Sequence, residues 1–207
     1  MHPKSLQKII DIFSKFPTVG SRTAARFAFY LSKMSKEETK EFIEAIADLK
    51  NKTKLCSFCF NVFESEDKDS KLCEICSNPS RKKDLLCLVE KESDMLSIEK
   101  TKKYKGYYFI LGGTLSPLRK SSISKIRSKE LIDRLKNYKK YGFENPFKEI
   151  IIATNFTSQG EATALYLERS IKPYKIKATR LAKGMPTGGE IEYIDEETIS
   201  SALESRK

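Results

Sequence analysis

The sequence predicts a multidomain α/β protein, and three patterns carry that reading. Two short apolar runs, Leu85-Leu86-Cys87-Leu88-Val89 and Ile150-Ile151-Ile152-Ala153, lie among amphipathic stretches, as strands buried on both faces of a parallel sheet do when helices cross between them. Before them, residues 1–51 carry apolar positions at three- and four-residue spacing, the mark of packed helices. Between these regions, two Cys-x₂-Cys pairs flank a polar segment, the pattern of a small metal-bound finger. The chain accordingly divides into a helical region at 1–52, a four-cysteine finger at 53–80, an α/β sheet domain at 81–175 and a short Gly-rich strand and helix region at 176–207.

The first helix places Leu6, Ile9, Ile10, Phe13 and Phe16 on one face. Pro17-Thr18-Val19-Gly20 stops it and makes a tight hairpin. Ser21 reads as the N-cap of a second helix with Ala24, Phe27, Ala28 and Leu31 inward. Ser35-Lys36-Glu37-Glu38 is a capping box, and it opens a third helix with Phe42, Ile43, Ile46 and Leu49 inward. A helix N-terminus behind a tight hairpin presents free amides that favour a phosphate. Arg22 and Arg26 stand one turn apart beside those amides, as candidates for phosphate contact, with Lys4 and Lys8 extending the basic face. The same region also suits a helical bundle used for dimerisation.

Cys56, Cys59, Cys73 and Cys76 supply four thiolates for one structural Zn²⁺ per chain, with thirteen residues between the pairs. Four filled positions leave no open site for catalysis. The segment is too small to bury a core, so the metal supplies much of its folding energy. Cys87, inside an apolar run, reads as a core residue.

In the α/β domain, strand Leu85–Val89 ends on Glu90. Residues 93–102 read as a helix capped by Ser93, with Leu96 and Ile98 inward. A strand at 106–111 runs into the Gly112-Gly113 turn, and residues 121–141 are mostly helical. The strand at 149–153 leads through the polar loop 154–160 into a helix at 161–171, with Ala162, Leu165 and Tyr166 inward. A further strand spans 176–181. Strand, polar loop and helix N-terminus is where open α/β sheets place their ligand sites. Beyond it, residues 183–190 read as a loop, 192–194 as a short strand, and 195–205 as a closing helix with Ile199, Ala202 and Leu203 apolar.

Composition bounds the partners. The 207 residues are 39% hydrophobic and 32% charged, and 39 Lys and Arg against 28 acidic residues give a formal charge of +11. So basic a balance favours a polyanion, most simply nucleic acid, over an acidic membrane surface. No apolar run reaches membrane-spanning length and no signal peptide precedes the first helix. Cysteines spaced as metal ligands point to a reducing cytoplasm. No Gly-x₄-Gly-Lys-Ser/Thr stretch is present, and the one histidine, His2, is terminal, so P-loop hydrolysis and Ser/His/Asp or Cys/His catalysis are unsupported.

Glu90 and the 149–167 stretch resemble the Toprim domain of type IA topoisomerases, primases and the RecR recombination family. In catalytic members the first strand ends in Glu, and the later one in Asp-x-Asp followed by Gly-Glu-Ala. Alternate residues of an extended segment point the same way, so that pair aims two carboxylates at one Mg²⁺. Here Gly160-Glu161-Ala162 is present but Asn155-Phe156-Thr157 stands at the Asp-x-Asp, so two of three metal-binding charges are gone. Phe16–Leu31 resembles the helix–hairpin–helix of RecR, with Thr18 where the usual Pro-Gly-φ-Gly has its first Gly. Residues 111–118, 153–164 and 179–193 resemble RecR as well, as does the order of parts. Asn-x-Thr is itself typical of that family; Phe156 and Gln159 stand where Pro and Glu are common.

That resemblance, which covers essentially the whole chain, implies a non-enzymatic recombination mediator in the cytoplasm, associated with the nucleoid. It implies DNA contact by Arg22 and Arg26 without sequence preference, at single-stranded, duplex or gapped sites. It further implies partnership with RecO and, in some pathways, RecF to help load RecA at gaps, and a dimer-to-tetramer ring built by contacts at the two chain ends. Glu90, Asn155, Thr157 and Glu161 then form a polar or partner-docking site. The rival is a metal-dependent Toprim nuclease or primase drawing on the same four residues.

Overall fold

The computed structural model describes residues 2–67, 69–116, 125–182 and 184–204. The chain forms two compact units, Met1–Thr53 and Lys54–Lys207.

The first unit is three helices: α1 (Lys4–Phe13), α2 (Ser21–Leu31) and α3 (Lys36–Lys52). Ile10 of α1 packs on Ala24 and Ala28 of α2, flanked by Leu6, Ile9, Phe13 and Val19. The small alanines, four apart on one face, let the helices approach closely. Ser35 and Glu38 close α3's capping box: the Glu38 N–H donates to Ser35 Oγ at 3.1 Å, and the Ser35 N–H to Glu38 Oε2 at 2.8 Å. Three expectations fail here. Phe16 and Phe27 are exposed, not inward. Ser21 is the first helical residue, not the cap; extended Gly20 takes the cap position and offers no side-chain bond. The apolar stripe of α3 is not inward: Phe42, Ile43, Ile46 and Leu49 are all exposed, and no α3 residue is buried. Periodicity reveals that a helix has an apolar face without revealing whether its own chain covers it.

The second unit centres on four parallel strands in the order β4-β3-β5-β6, namely β3 (Leu85–Val89), β4 (Tyr107–Ile110), β5 (Glu149–Ala153) and β6 (Lys177–Arg180). Leu88 lies beside Phe109 on one side and Ile152 on the other. The register continues to Val89 against Ala153, so Glu90 and Asn155 leave the sheet at one edge. Helices α5 (Glu92–Lys100), α6 (Ser128–Lys136), α7 (Ser158–Ile171) and α8 (Glu196–Glu204) complete the unit. Of the expected helix over 121–141, residues 121–124 lie outside the described residues; α6 and a 3₁₀ turn at Tyr138–Tyr141 make up the rest. Residues 117 and 118 of the Gly112-Gly113 stretch, residue 183 of the tail loop and residue 205 of the closing helix also lie outside them.

Helix α5 presents Met95 to the core and leaves Leu96 exposed, because Glu99, one turn after Met95, must meet the sheet. The Tyr108 hydroxyl donates to Glu99 Oε2 at 2.8 Å, and Arg81 Nη1 donates to it at 3.1 Å. The cap is not Ser93: the Lys91 N–H donates to Asp94. Helix α7 starts three residues earlier than expected and buries Gly160, Thr163, Ala164, Leu167 and Ile171, with Leu165 exposed. Gly160 sets that phase, since a Cβ there would stand 2.0 Å from the Asn155 carbonyl oxygen. Ile191–Tyr193 is a 3₁₀ turn, not a strand.

The four-cysteine finger is continuous with the sheet's core. Its hairpin, β1 (Thr53–Leu55) and β2 (Val62–Glu64), and short helix α4 (Glu74–Ser77) frame the cysteines. The Ile110 N–H of edge strand β4 donates to the Cys59 carbonyl at 3.0 Å. Phe58 packs its ring on Tyr107, Phe143 and Phe147. The finger therefore borrows the core that its own length could not build.

Candidate functional site: an uncapped basic hairpin, a four-cysteine centre and a neutralised acidic edge

The hairpin between α1 and α2 turns on Thr18, whose φ is +64°. That left-handed region is costly for a β-branched residue, so Thr18 takes the conformation that a glycine would adopt freely. Its hydroxyl donates to the Pro17 carbonyl at 2.6 Å, and the Val19 N–H closes the turn onto Phe16. The first intrahelical bond of α2 comes from the Ala24 N–H to the Gly20 carbonyl. The amides before it have no acceptor within the helix, and no side chain caps them. Exposed Arg22 and Arg26 stand four apart on this first turn and a half. Uncapped amides, the positive end of the helix dipole and two exposed cations lie within the first six residues of α2, a composition that suits a phosphate group. A separate cleft of about 520 Å³ is lined by Arg26, Phe27, Phe29, Tyr30 and Lys33 further along the helix.

The sulfurs of Cys56, Cys59, Cys73 and Cys76 all lie within 4.8 Å of one another and are buried. Among the described residues this is the one group of His, Cys, Asp and Glu placed to hold a metal ion. A tetrahedron with metal–sulfur bonds of ~2.3 Å has sulfur–sulfur edges of about 3.8 Å; the Cys59 and Cys73 sulfurs are 3.6 Å apart. Phe60, at φ +65°, turns the chain behind Cys59. The Asn61 N–H then reaches Cys59 Sγ and the Cys73 N–H reaches Cys56 Sγ, both at 3.4 Å. Such bonds stabilise sulfur as thiolate. The neighbouring Cys59 sulfur, then those of Cys73 and Cys76, hold Cys56 below the ordinary thiol range. Cys87, alone in its strand, has no sulfur neighbour to share a proton with, and burial pushes its thiol up to about 12. The four-sulfur donor set fits a soft or borderline metal ion, and Cys87 is a core residue.

At the sheet edge, the structure brings Glu90 and Asn155 together. Glu90 is only 7% exposed, and both carboxylate oxygens are engaged: Oε1 accepts the Asn155 backbone N–H at 2.8 Å and Oε2 the side-chain amide at 2.5 Å. Thr157 caps α7, its Oγ1 accepting the Gly160 N–H at 3.1 Å. Glu161 pairs with Arg180 in a fork, Nη1 to Oε1 at 2.8 Å and Nη2 to Oε2 at 2.6 Å. Thr157 and Glu161 line a cleft of about 540 Å³ with Phe156, Arg180, Leu181 and Glu197, which Glu90 does not line. Glu90 and Glu161 thus serve separate partners. Arg180 had no signal in the sequence, because a bidentate partner nineteen residues away depends on β6 lying beside β5. The Gly112-Gly113 turn is packing geometry: Gly112 has φ +81°, and a Cβ there would stand 2.9 Å from Arg127 Nη1.

Comparison with known proteins agrees with this assembly of parts. The family model of the RecR helix-hairpin-helix matches residues 6–50, that of the Toprim domain residues 84–182, and that of the RecR C-terminal region residues 184–207. The chain is 39% identical to "Recombination protein RecR" of Clostridium perfringens (strain ATCC 13124), over 99% of this chain and 97% of that one. It is 42% identical to the protein of the same name from Lactococcus lactis subsp. cremoris (strain MG1363), over 99% and 98%. Among the described residues no helix is long and apolar enough to cross a membrane.

Proposed function

The chain belongs to the RecR family of recombination proteins, and from that premise we propose that it is a DNA-repair and recombination mediator rather than an enzyme. It holds DNA by the sugar–phosphate backbone, through the free amides of α2 with Arg22 and Arg26, and reads no sequence. The four cysteines hold one structural Zn²⁺ per chain, which fastens the finger to β4 and performs no reaction. The protein acts in the cytoplasm, at the nucleoid, with RecO and, in some pathways, RecF, helping to load RecA at single-strand gaps. It does so as a dimer or a ring-shaped tetramer. The cleft lined by Thr157, Glu161 and Arg180 is a partner-docking edge, with Glu90 and Asn155 bracing the loop behind it.

The observation that carries the non-enzymatic reading is the Glu90–Asn155 pair. A Toprim-type nuclease or primase needs that carboxylate for a divalent metal. Here each of its oxygens already accepts a bond from one asparagine, and the other acid, Glu161, is held by Arg180.

The test is a gapped duplex incubated with the protein in Mg²⁺ and then Mn²⁺, scored for bound complex and for strand integrity. Retarded, intact DNA is expected. The complex should weaken steeply with salt and be lost about tenfold or more in Arg22→Ala/Arg26→Ala, since phosphate contacts carry most of such binding. Metal-dependent cutting that disappears in Glu90→Gln would make the protein an enzyme and overturn the proposal.

A further inference from the structure

Arg134 of α6 lies in the interior at 4% exposure. Its Nε donates to the Phe58 carbonyl at 2.7 Å, its Nη2 to the Ser57 carbonyl at 2.7 Å, and its Nη1 to the Glu130 carbonyl at 2.9 Å. Every acceptor is neutral, and among the described residues Arg134 forms no ion pair. A guanidinium cannot shed its charge and burying it is costly; Asp133 and Glu130 of its own helix favour that charge without pairing with it. The rings of Phe60, Tyr141 and Phe109, with centroids 4.5, 4.8 and 5.2 Å away, offset part of that cost through their π faces.

The acceptors locate the rest. Ser57 and Phe58 are the two residues between Cys56 and Cys59. A second guanidinium, Arg127, also lies over the Phe60 ring, at 4.7 Å. Its Nη1 donates to the Ile110 carbonyl at 2.9 Å, and the Ile110 N–H is the one bonded to Cys59. Arg134, which is interior, thus bonds the first Cys-x₂-Cys loop directly, and Arg127 stands over the Phe60 ring that follows it. A divalent ion held by four thiolates carries a net charge of −2, and burying a dianion requires cations as much as the reverse.

We propose that Arg134, with Arg127 beside it, is the counter-charge of the metal–tetrathiolate centre and, through the Ser57 and Phe58 carbonyls, positions the Cys56–Cys59 loop to take the ion. This rests on the reading of the four cysteines as a divalent-metal site. Arg134 is a positioning residue, and its charge, not only its fork of hydrogen bonds, sets how tightly the metal is held.

The full-length chain is loaded with Co²⁺, whose thiolate charge-transfer absorption reports the intact site, and the ion is titrated away with EDTA. Arg134→Met removes the charge and the fork at similar volume, and is expected to weaken metal retention about 10- to 100-fold. Arg134→Lys keeps the charge while losing the fork, and should lose several-fold less than Arg134→Met. Arg127→Met, which touches neither Ser57 nor Phe58, should also lose affinity. Equal losses in the Lys and Met variants would reduce Arg134 to a geometric clamp and overturn the proposal. So would parental affinity in Arg127→Met, a readout that stands even if Arg134→Met does not fold. A parent chain that takes up no Co²⁺ at all would instead sink the metal-site reading beneath it.

Discussion

Across the sheet, Leu88, Phe109 and Ile152 stand side by side on three strands with essentially no exposed surface, and the finger's Phe58 and four cysteines join the same cluster. In the N-terminal unit, Ile10, Ala24 and Ala28 are the buried residues, while Phe29, Ile43, Ile46 and Leu49 face outward, Ile43 at 60% exposure. One unit closes its core within its own chain. The other spends most of its apolar side chains on its surface, as a segment of this length does when its core is too small to bury them. The contrast also separates roles. The sheet unit bonds its polar groups internally, down to a carboxylate with both oxygens engaged, whereas the helical unit leaves uncapped amides and exposed cations on its surface.

The largest test of that contrast is removal of the metal. Chelation should cost the sheet unit several kcal/mol, in line with the roughly 10 kcal/mol or more that structural Zn²⁺ contributes to isolated fingers. Hydrogen exchange on the full chain should show lost protection in β4 and the Phe58 segment, with α1 and α2 unchanged. Unaltered protection of β4 would mean that the finger is an appendage and not part of the core.

Next come paired truncations. Leu88→Ala should destabilise by about 2–5 kcal/mol, transfer and cavity costs combined, against about 0.5 kcal/mol or less for Ile46→Ala at an exposed site. Urea unfolding of dilute protein measures both. If Ile46→Ala costs as much as Leu88→Ala, the outer face of α3 is covered in solution and the contrast between the units fails.

The smallest expected effect sharpens the comparison. Thr18→Gly relieves a β-branched residue at φ +64°, worth about 1–2 kcal/mol, against roughly 0.5–1 kcal/mol of extra unfolded-state freedom. A net gain of about 0.5–1 kcal/mol in the helical unit should appear as slower exchange in α1 and α2. Faster exchange would mean that the Thr18 hydroxyl bond to Pro17 outweighs the strain.

Legibility differed in the same way. Strands β3 and β5 were readable because a strand buried on both faces leaves an unbroken apolar run, and the α3 capping box was readable because its partners are three residues apart. The phases of α5 and α7 were not. Met95 rather than Leu96 faces in because Glu99 answers to Tyr108 and Arg81, and α7 is rotated by the close approach of Gly160 to Asn155. Those constraints come from other strands. The candidate site divided likewise: four cysteines announced themselves by spacing, while nothing local separates Arg134 from the other basic residues of α6.

By itself the sequence determined the order of parts, the identity of the metal ligands, the loss of two acidic groups at the sheet edge and the basic helix start behind the hairpin. Each is written in residue types at short, fixed spacing, where local geometry decides. Only the tertiary structure decided that Asn155 engages both oxygens of Glu90, that Arg180 takes Glu161, that the finger shares the sheet's core and that a buried guanidinium lies against the cysteine loop. Each of those joins segments at least nineteen residues apart, or turns on whether a charge is buried. Burial is a property of the packed chain, not of any one stretch of it.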